Sequence, residues 1–172
     1  MSTVLQSAVE GYNEGRAPWE DIMLRGLIRL LFVFLVVGGG LAIGFLTAPG
    51  SWYASLVKPP FNPPNWAFGP VWTLLYVMIA VAGWRTYEGE RGGWAMKFWG
   101  TQLGLNFLWT PVFFSAHRIG LALVILMLLL VVILAFIVSS WRRDPIRAGL
   151  FIPYAVWVGF ASLLNGWIWA LN

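Results

Sequence analysis

The chain has 172 residues, of which 59% are hydrophobic and only 10% are charged, and its formal net charge is +4. Soluble domains carry about 25% charged residues, so this composition excludes an ordinary water-soluble domain and indicates one membrane-embedded unit. Cysteine is absent, which excludes disulfides and thiolate metal sites, and the scattered basic residues form no surface suited to nucleic acid.

Residues 1–26 form a polar lead of mixed charge, and residues 27–172 form the predicted membrane domain. The stretch Ala17-Pro18-Trp19-Glu20-Asp21 could begin a short helix, because acidic residues are favourable at helix N-termini. The alternative is a lead that is disordered or lies on a surface. A secretory signal would need a short basic start, so the first apolar run is expected to be retained.

Five apolar runs follow, each close to the roughly 20 residues that a helix needs to cross the hydrocarbon core. Runs this continuous do not alternate as the strands of a membrane barrel do. The sequence therefore predicts an all-α membrane protein, a bundle of five transmembrane helices with spans at 28–48, 66–84, 94–114, 119–140 and 148–171. Lysine and arginine are concentrated in the lead, in residues 85–97 and in residues 141–147, which predicts a cytoplasmic N-terminus if the membrane is an inner one.

The connection between the first and second predicted helices, residues 49–65, is long and contains four prolines, Pro59, Pro60, Pro63 and Pro64. Proline fixes φ and restricts the residue before it, so an ordered loop is predicted rather than a flexible linker. Loops longer than about 12–15 residues are usually functional or disordered. Together with Trp66, Trp72 and Tyr76 of the next run, the loop resembles the lid and wall of a ligand site.

Polar side chains mark one face of the third predicted helix. Gln102, Asn106 and Trp109 are spaced i, i+4, i+7 and so share a face, which should point into the bundle because an unpartnered amide in hydrocarbon is costly. Two interpretations stay open for the amides, a hydrogen bond between helices and a polar anchor for a ligand. Gly100 and Gly104 form a separate small-residue face that could pack against another helix, within the bundle or across a homodimer.

The last two predicted helices differ. The fourth has no charge and no tryptophan, so most of it is expected to be lipid-facing or scaffold. In the fifth, Tyr154, Trp157, Ala161 and Asn165 recur on one stripe, which suits either ordinary packing or contact with a flat ligand. Tryptophans near the ends of the runs (Trp66, Trp84, Trp94 and Trp141) are typical of membrane-interface anchors.

Catalytic and metal-binding sets are missing from the sequence. His117 is the single histidine, and every acidic residue lies in the lead or in a predicted loop. A metal centre, a pair of axial haem ligands, a proton relay and an ion channel are therefore disfavoured. What remains is recognition by apolar and aromatic side chains.

Three blocks, Trp52–Tyr76, Gln102–Phe114 and Pro153–Asn165, resemble the signature of the TspO/MBR family of tryptophan-rich sensory proteins. The resemblance implies a five-helix bundle with a pocket beneath the first loop, frequent homodimers, and a porphyrin such as protoporphyrin IX as ligand, with no required cofactor and no metal. By motif position it implies ligand-binding roles for eight residues: Tyr53, Trp66, Trp72, Asn106, Trp109, Trp157, Ala161 and Asn165.

These observations lead to the expectation of a membrane receptor or transporter-like protein for tetrapyrroles, acting in porphyrin transport or sensing. Lys58, close to the loop, could meet a propionate. One alternative is light- or oxygen-dependent porphyrin breakdown with Trp72 or Trp157 as electron donor, although no catalytic residue is assured. Another is a lipid-binding scaffold whose aromatic residues only pack.

Overall fold

The computed structural model describes residues 17–172. In this part of the chain the regular structure is helical, and we number the helices α1 to α6. Helix α1 has three consecutive segments (Pro18–Val33, the π-helical Phe34–Gly38, and Gly39–Leu46), followed by α2 (Ser51–Ser55), α3 (Asn65–Glu90), α4 (Trp94–Thr110, continued by the π-helical Pro111–Ser115), α5 (Ile119–Trp141) and α6 (Pro145–Leu171).

Helix α1 begins within the stretch predicted as a polar lead. Pro18 occupies its first turn, where proline needs no donor, and Glu20 and Asp21 lie in the same turn. The helix then continues without a break into the first apolar run, so it is one long helix rather than a short one followed by a span. The remainder of the predicted lead, residues 1–16, lies outside the described residues.

Four of the helices in the described residues are long and apolar enough to cross a membrane: α1 over Trp19–Leu46, α3, α5 and α6. Helix α4 has 17 residues before Pro111 changes its hydrogen bonding to the π pattern, which accounts for its shorter α-helical length. The chain is therefore an α-helical membrane protein, while the count of five spans stays a prediction.

Helix α6 is the centre of the packing, with α5 and α3 against it, and α4 packs against α5. The rings of Phe136 on α5 and Phe151 on α6 lie 4.1 Å apart, and both side chains are fully buried. Helix α5, expected to be lipid-facing or scaffold, divides into a buried face that includes Leu126, Leu129 and Ile133 and an exposed face that includes Val131 and Val138. Helix α1 lies at the periphery, since most of its side chains are exposed.

The two ends of the bundle differ in composition. At the charged end, ion pairs connect helices that are distant in sequence: Arg29 with Glu88, Arg85 with Asp144, and Arg143 and Arg147 with Glu90. At the opposite end, which we call the cavity end, residues 47–64 cover the helices. The long connection and the short helix α2 thus lie away from most of the charge.

Candidate functional site

A cavity of about 340 Å³ lies at the cavity end, between α1, α3, α4 and α6 and beneath residues 47–64. Its lining combines residues from every one of these elements, among them Gly40, Phe45, Tyr53, Asn62, Phe68, Trp72, Trp109, Phe113, Ala161 and Asn165. Ligand pockets in proteins typically occupy about 300–1,000 Å³ and are lined mainly by apolar and aromatic groups. The volume and lining both fit a small-molecule site.

Two indole rings form the flat wall of the cavity. Trp72 on α3 and Trp109 on α4 have ring centroids 6.3 Å apart and planes inclined by only 27°. Tyr76, one turn after Trp72, lies 5.5 Å from its ring and forms the floor with Gly40. An added Cβ at Gly40 would lie 2.2 Å from the Tyr76 ring. Only glycine at this position of α1 lets the two helices approach so closely.

The polar atoms around the cavity belong to neutral side chains. The Tyr53 hydroxyl donates to Asn62 Oδ1 at 3.3 Å, Trp109 Nε1 donates to Asn165 Oδ1 at 3.4 Å, and Asn165 Nδ2 donates to the Ile119 carbonyl at 2.8 Å. Burial raises the pKa of the Tyr53 hydroxyl, an effect that the Asn62 hydrogen bond only partly offsets. Among residues 17–172, no acidic or basic side chain lines the cavity, so the site suits a ligand that is apolar over most of its surface.

The connection over the cavity is held by contacts at several points. Trp52 stacks on His117 with ring centroids 4.0 Å apart, and the Asn172 side chain bonds both the amide and the carbonyl of Val57. Lys58 Nζ donates to the Ala54 and Leu56 carbonyls and lies 4.6 Å from the Tyr53 ring centroid. Lys58 therefore caps the C-terminal end of α2, and a contact with a propionate stays a prediction.

The cavity is open on one side, between α1 and the first turns of α3. The outer segment of α1, Gly39–Leu46, packs on α4. On its other side Leu41 and Phe45 line the cavity while remaining exposed, Phe45 by 84%. Nothing lies within 4 Å of a Cβ added at Gly44 or at Gly69. In a membrane this opening would face lipid.

Asn106 is held by two tyrosines rather than lining the cavity. The Tyr76 hydroxyl donates to Asn106 Oδ1 at 3.2 Å, and Asn106 Nδ2 donates to the Tyr154 hydroxyl at 2.8 Å. These bonds join α3, α4 and α6 just behind the cavity floor. Of the two interpretations that the sequence left open, the structure shows the hydrogen bond between helices, and ligand contact by Asn106 stays a prediction. Gln102, one turn away, is fully buried and neither of its amide atoms has a partner.

The structure brings together five of the eight predicted site residues and separates three. The five that line the cavity are Tyr53, Trp72, Trp109, Ala161 and Asn165. Trp66 is 76% exposed on the surface, as an interface anchor would be. Trp157 does not line the cavity and contacts Phe68, which does. Of the two candidate electron donors, Trp72 lines the cavity and Trp157 does not. The ligand-binding roles themselves stay predictions.

Sequence reasoning missed several lining residues, of which Phe68 is the most important. It precedes Trp72 by four residues, so the i, i+4 rule that grouped Trp72 with Tyr76 could have found it. Asn62 and Phe113 lay within the motif blocks but carried no periodic signal, and only the packing of α2 onto α4 brings them to the cavity. In residues 17–172, no three His, Cys, Asp or Glu side chains lie close enough to hold a metal ion.

Comparison with known proteins agrees with the sequence motifs. The model of the TspO/MBR family matches residues 32–170. Protein CrtK of Rhodobacter capsulatus is 37% identical over 150 residues, covering 85% of this chain and 92% of that protein. The tryptophan-rich sensory protein of Cereibacter sphaeroides is 38% identical over 137 residues, covering 79% and 87%. The translocator protein of Homo sapiens is 37% identical over 127 residues, covering 70% and 75%.

Proposed function

The chain belongs to the TspO/MBR family, and we propose that it is a membrane receptor or transporter-like protein that binds tetrapyrroles such as protoporphyrin IX. The observation that carries the proposal is the cavity of about 340 Å³ with two nearly parallel indoles and neutral amides in its lining. A flat, apolar ring system would stack on Trp72 and Trp109, while Asn165 and Tyr53 would meet its few polar atoms. Relatives named sensory and translocator proteins support a role in sensing or transport.

Titration with protoporphyrin IX tests this proposal. The intrinsic tryptophan fluorescence of the full chain in lipid bilayers should show saturable quenching. Trp72→Ala should weaken binding about 30-fold, because buried aromatic anchors are worth about 2 kcal/mol or more. Trp141→Ala is the matched control, since Trp141 is exposed at the charged end and should leave the affinity unchanged. Quenching that never saturates would favour the scaffold alternative.

Within this proposal, α4 also crosses the membrane, which brings the number of transmembrane helices to five, and the N-terminus is cytoplasmic. The support is the π-helical continuation of α4 through Ser115 and the concentration of arginine at the charged end. Because the chain has no cysteine, single-cysteine variants report topology cleanly. Gly92→Cys at the charged end and Ser51→Cys at the cavity end should react with an impermeant thiol reagent from opposite sides. Labelling of both from one side would refute the arrangement.

We also propose a homodimer that uses the Gly100 and Gly104 face of α4. Both glycines are exposed, and nothing in the described chain lies within 4 Å of a Cβ added at either. A small-residue face of this kind allows close approach of a second helix. Chemical crosslinking in bilayers should detect a dimer of the wild-type chain and only monomer for Gly104→Leu. Gly149→Leu on α6, where an added Cβ also meets no described atom within 4 Å, should still crosslink as a dimer. A dimer that survives Gly104→Leu would exclude this face.

A further inference from the structure

Phe68 lies next to a buried hydrogen-bond donor, the indole N–H of Trp157, which is not part of the cavity lining. Its ring lines the cavity and also contacts Trp157, with centroids 5.9 Å apart and planes at 70°. Trp157 lies on α6 one turn before Ala161, on the same face of the helix, and Ala161 lines the cavity. The indole Nε1 of Trp157 is buried and has no hydrogen-bond partner among residues 17–172. Phe68 therefore contacts both the present cavity and the residue that carries this unpartnered N–H group.

An orphaned indole N–H is a costly feature to retain. A buried donor without an acceptor is destabilising relative to its hydrated state, and buried tryptophan N–H groups usually find a partner. The Trp157 indole also contacts the ring of Phe160, with centroids 5.6 Å apart, and this ring offers no acceptor. A ligand that displaced Phe68 would reach this donor.

The turn that carries Phe68 has features that favour movement. Pro70 lies inside α3 and has no N–H, so the carbonyl of Trp66 lacks its usual helical donor. Gly69 lies between Phe68 and Pro70, and the space around it is open. The Thr73 hydroxyl donates to the Gly69 carbonyl at 2.9 Å, beyond the turn that carries Phe68. Phe68 therefore lies on the first turn of α3, where the helical hydrogen bonding is incomplete.

We propose that the Phe68 side chain selects ligands by size. Small flat ligands bind with Phe68 in its present position, and porphyrin-sized ligands bind only when the Phe68 ring moves out of the cavity and Trp157 becomes part of the site. The proposal rests on the function proposed above for this cavity. At about 340 Å³ the cavity is at the lower end of the usual range for ligand sites. A porphyrin is a rigid plane of four joined pyrrole rings and cannot fold to fit. Movement of Phe68 enlarges the site and supplies an N–H donor to a polar atom of the ligand.

Fluorine NMR of the full chain labelled with 5-fluorotryptophan tests the movement directly. Trp72→Phe and Trp157→Phe assign the two signals. Three probes of increasing size are used: indole, pyrene and protoporphyrin IX. Indole should shift the Trp72 signal alone, whereas protoporphyrin IX should shift both signals. A bound porphyrin that shifts Trp72 and leaves Trp157 unmoved overturns the inference.

Substitution of Phe68 tests its role in size selection. Phe68→Ala should raise the affinity for protoporphyrin IX by roughly 5–10-fold, because the cost of populating the open arrangement is removed, and should change the affinity for indole by less than about twofold. Phe160→Ala is the matched control, since Phe160 contacts the other side of Trp157 without lining the cavity, and it should raise neither affinity. An unchanged or lowered porphyrin affinity in Phe68→Ala overturns the inference.

Pyrene separates failure of this inference from failure of the proposed function. If protoporphyrin IX shifts neither signal but pyrene shifts both, the proposed ligand class is wrong and the role of Phe68 stands. If no probe larger than indole moves the Trp157 signal in the wild-type chain, the role of Phe68 is wrong.

Discussion

The charged end and the cavity end of this bundle use different physical means to hold the same helices. At the charged end, Arg85 forms two hydrogen bonds with Asp144, at 2.9 and 3.1 Å, and Glu90 joins Arg143 to Arg147. At the cavity end the helices are separated by rings and a hollow, and the connections between them are neutral. The contrast is one of chemistry: ion pairs connect the elements at the charged end, whereas rings and neutral amides surround an open cavity at the other end.

The largest expected effect comes from filling a close contact on the packed side of α3. Gly83→Ala would place a Cβ 2.5 Å from the Trp99 ring, whose Nε1 donates to the Ile79 carbonyl. Overpacking of this kind should cost about 2–3 kcal/mol of unfolding free energy, measured by thermal denaturation in detergent. Gly44→Ala at the cavity opening meets nothing within 4 Å and should be neutral or slightly stabilising. Equal losses for both would remove the contrast between the two regions.

A smaller loss is expected where the two regions meet. Asn106→Leu removes the bonds to Tyr76 and Tyr154 and leaves two buried hydroxyls with fewer partners, which should cost about 1–2 kcal/mol. Combination with Tyr154→Phe should cost less than the sum of the two single changes, because they disrupt the same hydrogen bond. Leu105→Met on the same helix serves as the control, since volume-conserving changes are tolerated. Strict additivity of the pair would argue against a coupled network.

At the charged end, Asp144 should contribute about 1 kcal/mol to the free energy of unfolding. It accepts hydrogen bonds from the Ile146 and Arg147 amides at the start of α6 and also pairs with Arg85. Asp144→Ala removes both contributions, whereas Asp144→Asn keeps a cap. Thermal denaturation of the two variants separates the cap from the ion pair. Identical stabilities would show that the cap contributes nothing.

Asp144 should also make the stability of the protein depend on pH. Burial alone would raise the pKa of the Asp144 carboxyl, but the hydrogen bonds from Arg85 and from the α6 amides outweigh burial and lower it. A group with a lowered pKa in the folded state stabilises above its unfolded pKa, about 3.9, and that contribution is lost as the pH falls through the folded value. The difference in stability between wild type and Asp144→Asn should therefore shrink below about pH 4. A difference that persists at lower pH would contradict this assignment.

The smallest effect is expected at the cover of the cavity. Asn172→Ala removes two hydrogen bonds to the Val57 backbone and should cost less than about 1 kcal/mol, because these atoms are exposed. Faster hydrogen exchange of the Val57 amide, with unchanged exchange in α5, would show local opening of the connection. Ser55→Ala, which removes only a bond within one turn of α2, is the control.

Much of the fold was available from the sequence because the bilayer constrains it so strongly. Long uncharged runs have few arrangements other than helices in hydrocarbon, so α3, α5 and α6 appear close to their predicted positions. A helix start near Pro18 was among the expectations, but its continuation into the first span and the change to π-helix at Pro111 were not anticipated, because they depend on local backbone hydrogen bonding rather than on hydropathy.

The site was predicted less completely than the helices. The family resemblance placed Trp72, Trp109, Ala161 and Asn165 in one site, and all four line the cavity, while their ligand-binding roles stay predictions. Helical periodicity shows which side chains of one helix share a face, but it does not show which of them reach a cavity, and Trp157 contacts Phe68 instead of lining it. It also does not distinguish a ligand anchor from a hydrogen bond between helices, the case of Asn106.

The sequence by itself determined that this chain enters a membrane as helices and that rings and neutral amides are gathered on their inner faces, because the cost of charge in hydrocarbon leaves few other choices. Only the tertiary structure decided which of those rings surround an empty space and which are packed away. That distinction depends on angstrom-scale contacts between helices distant in sequence, such as Gly40 against Tyr76 and Phe68 against Trp157.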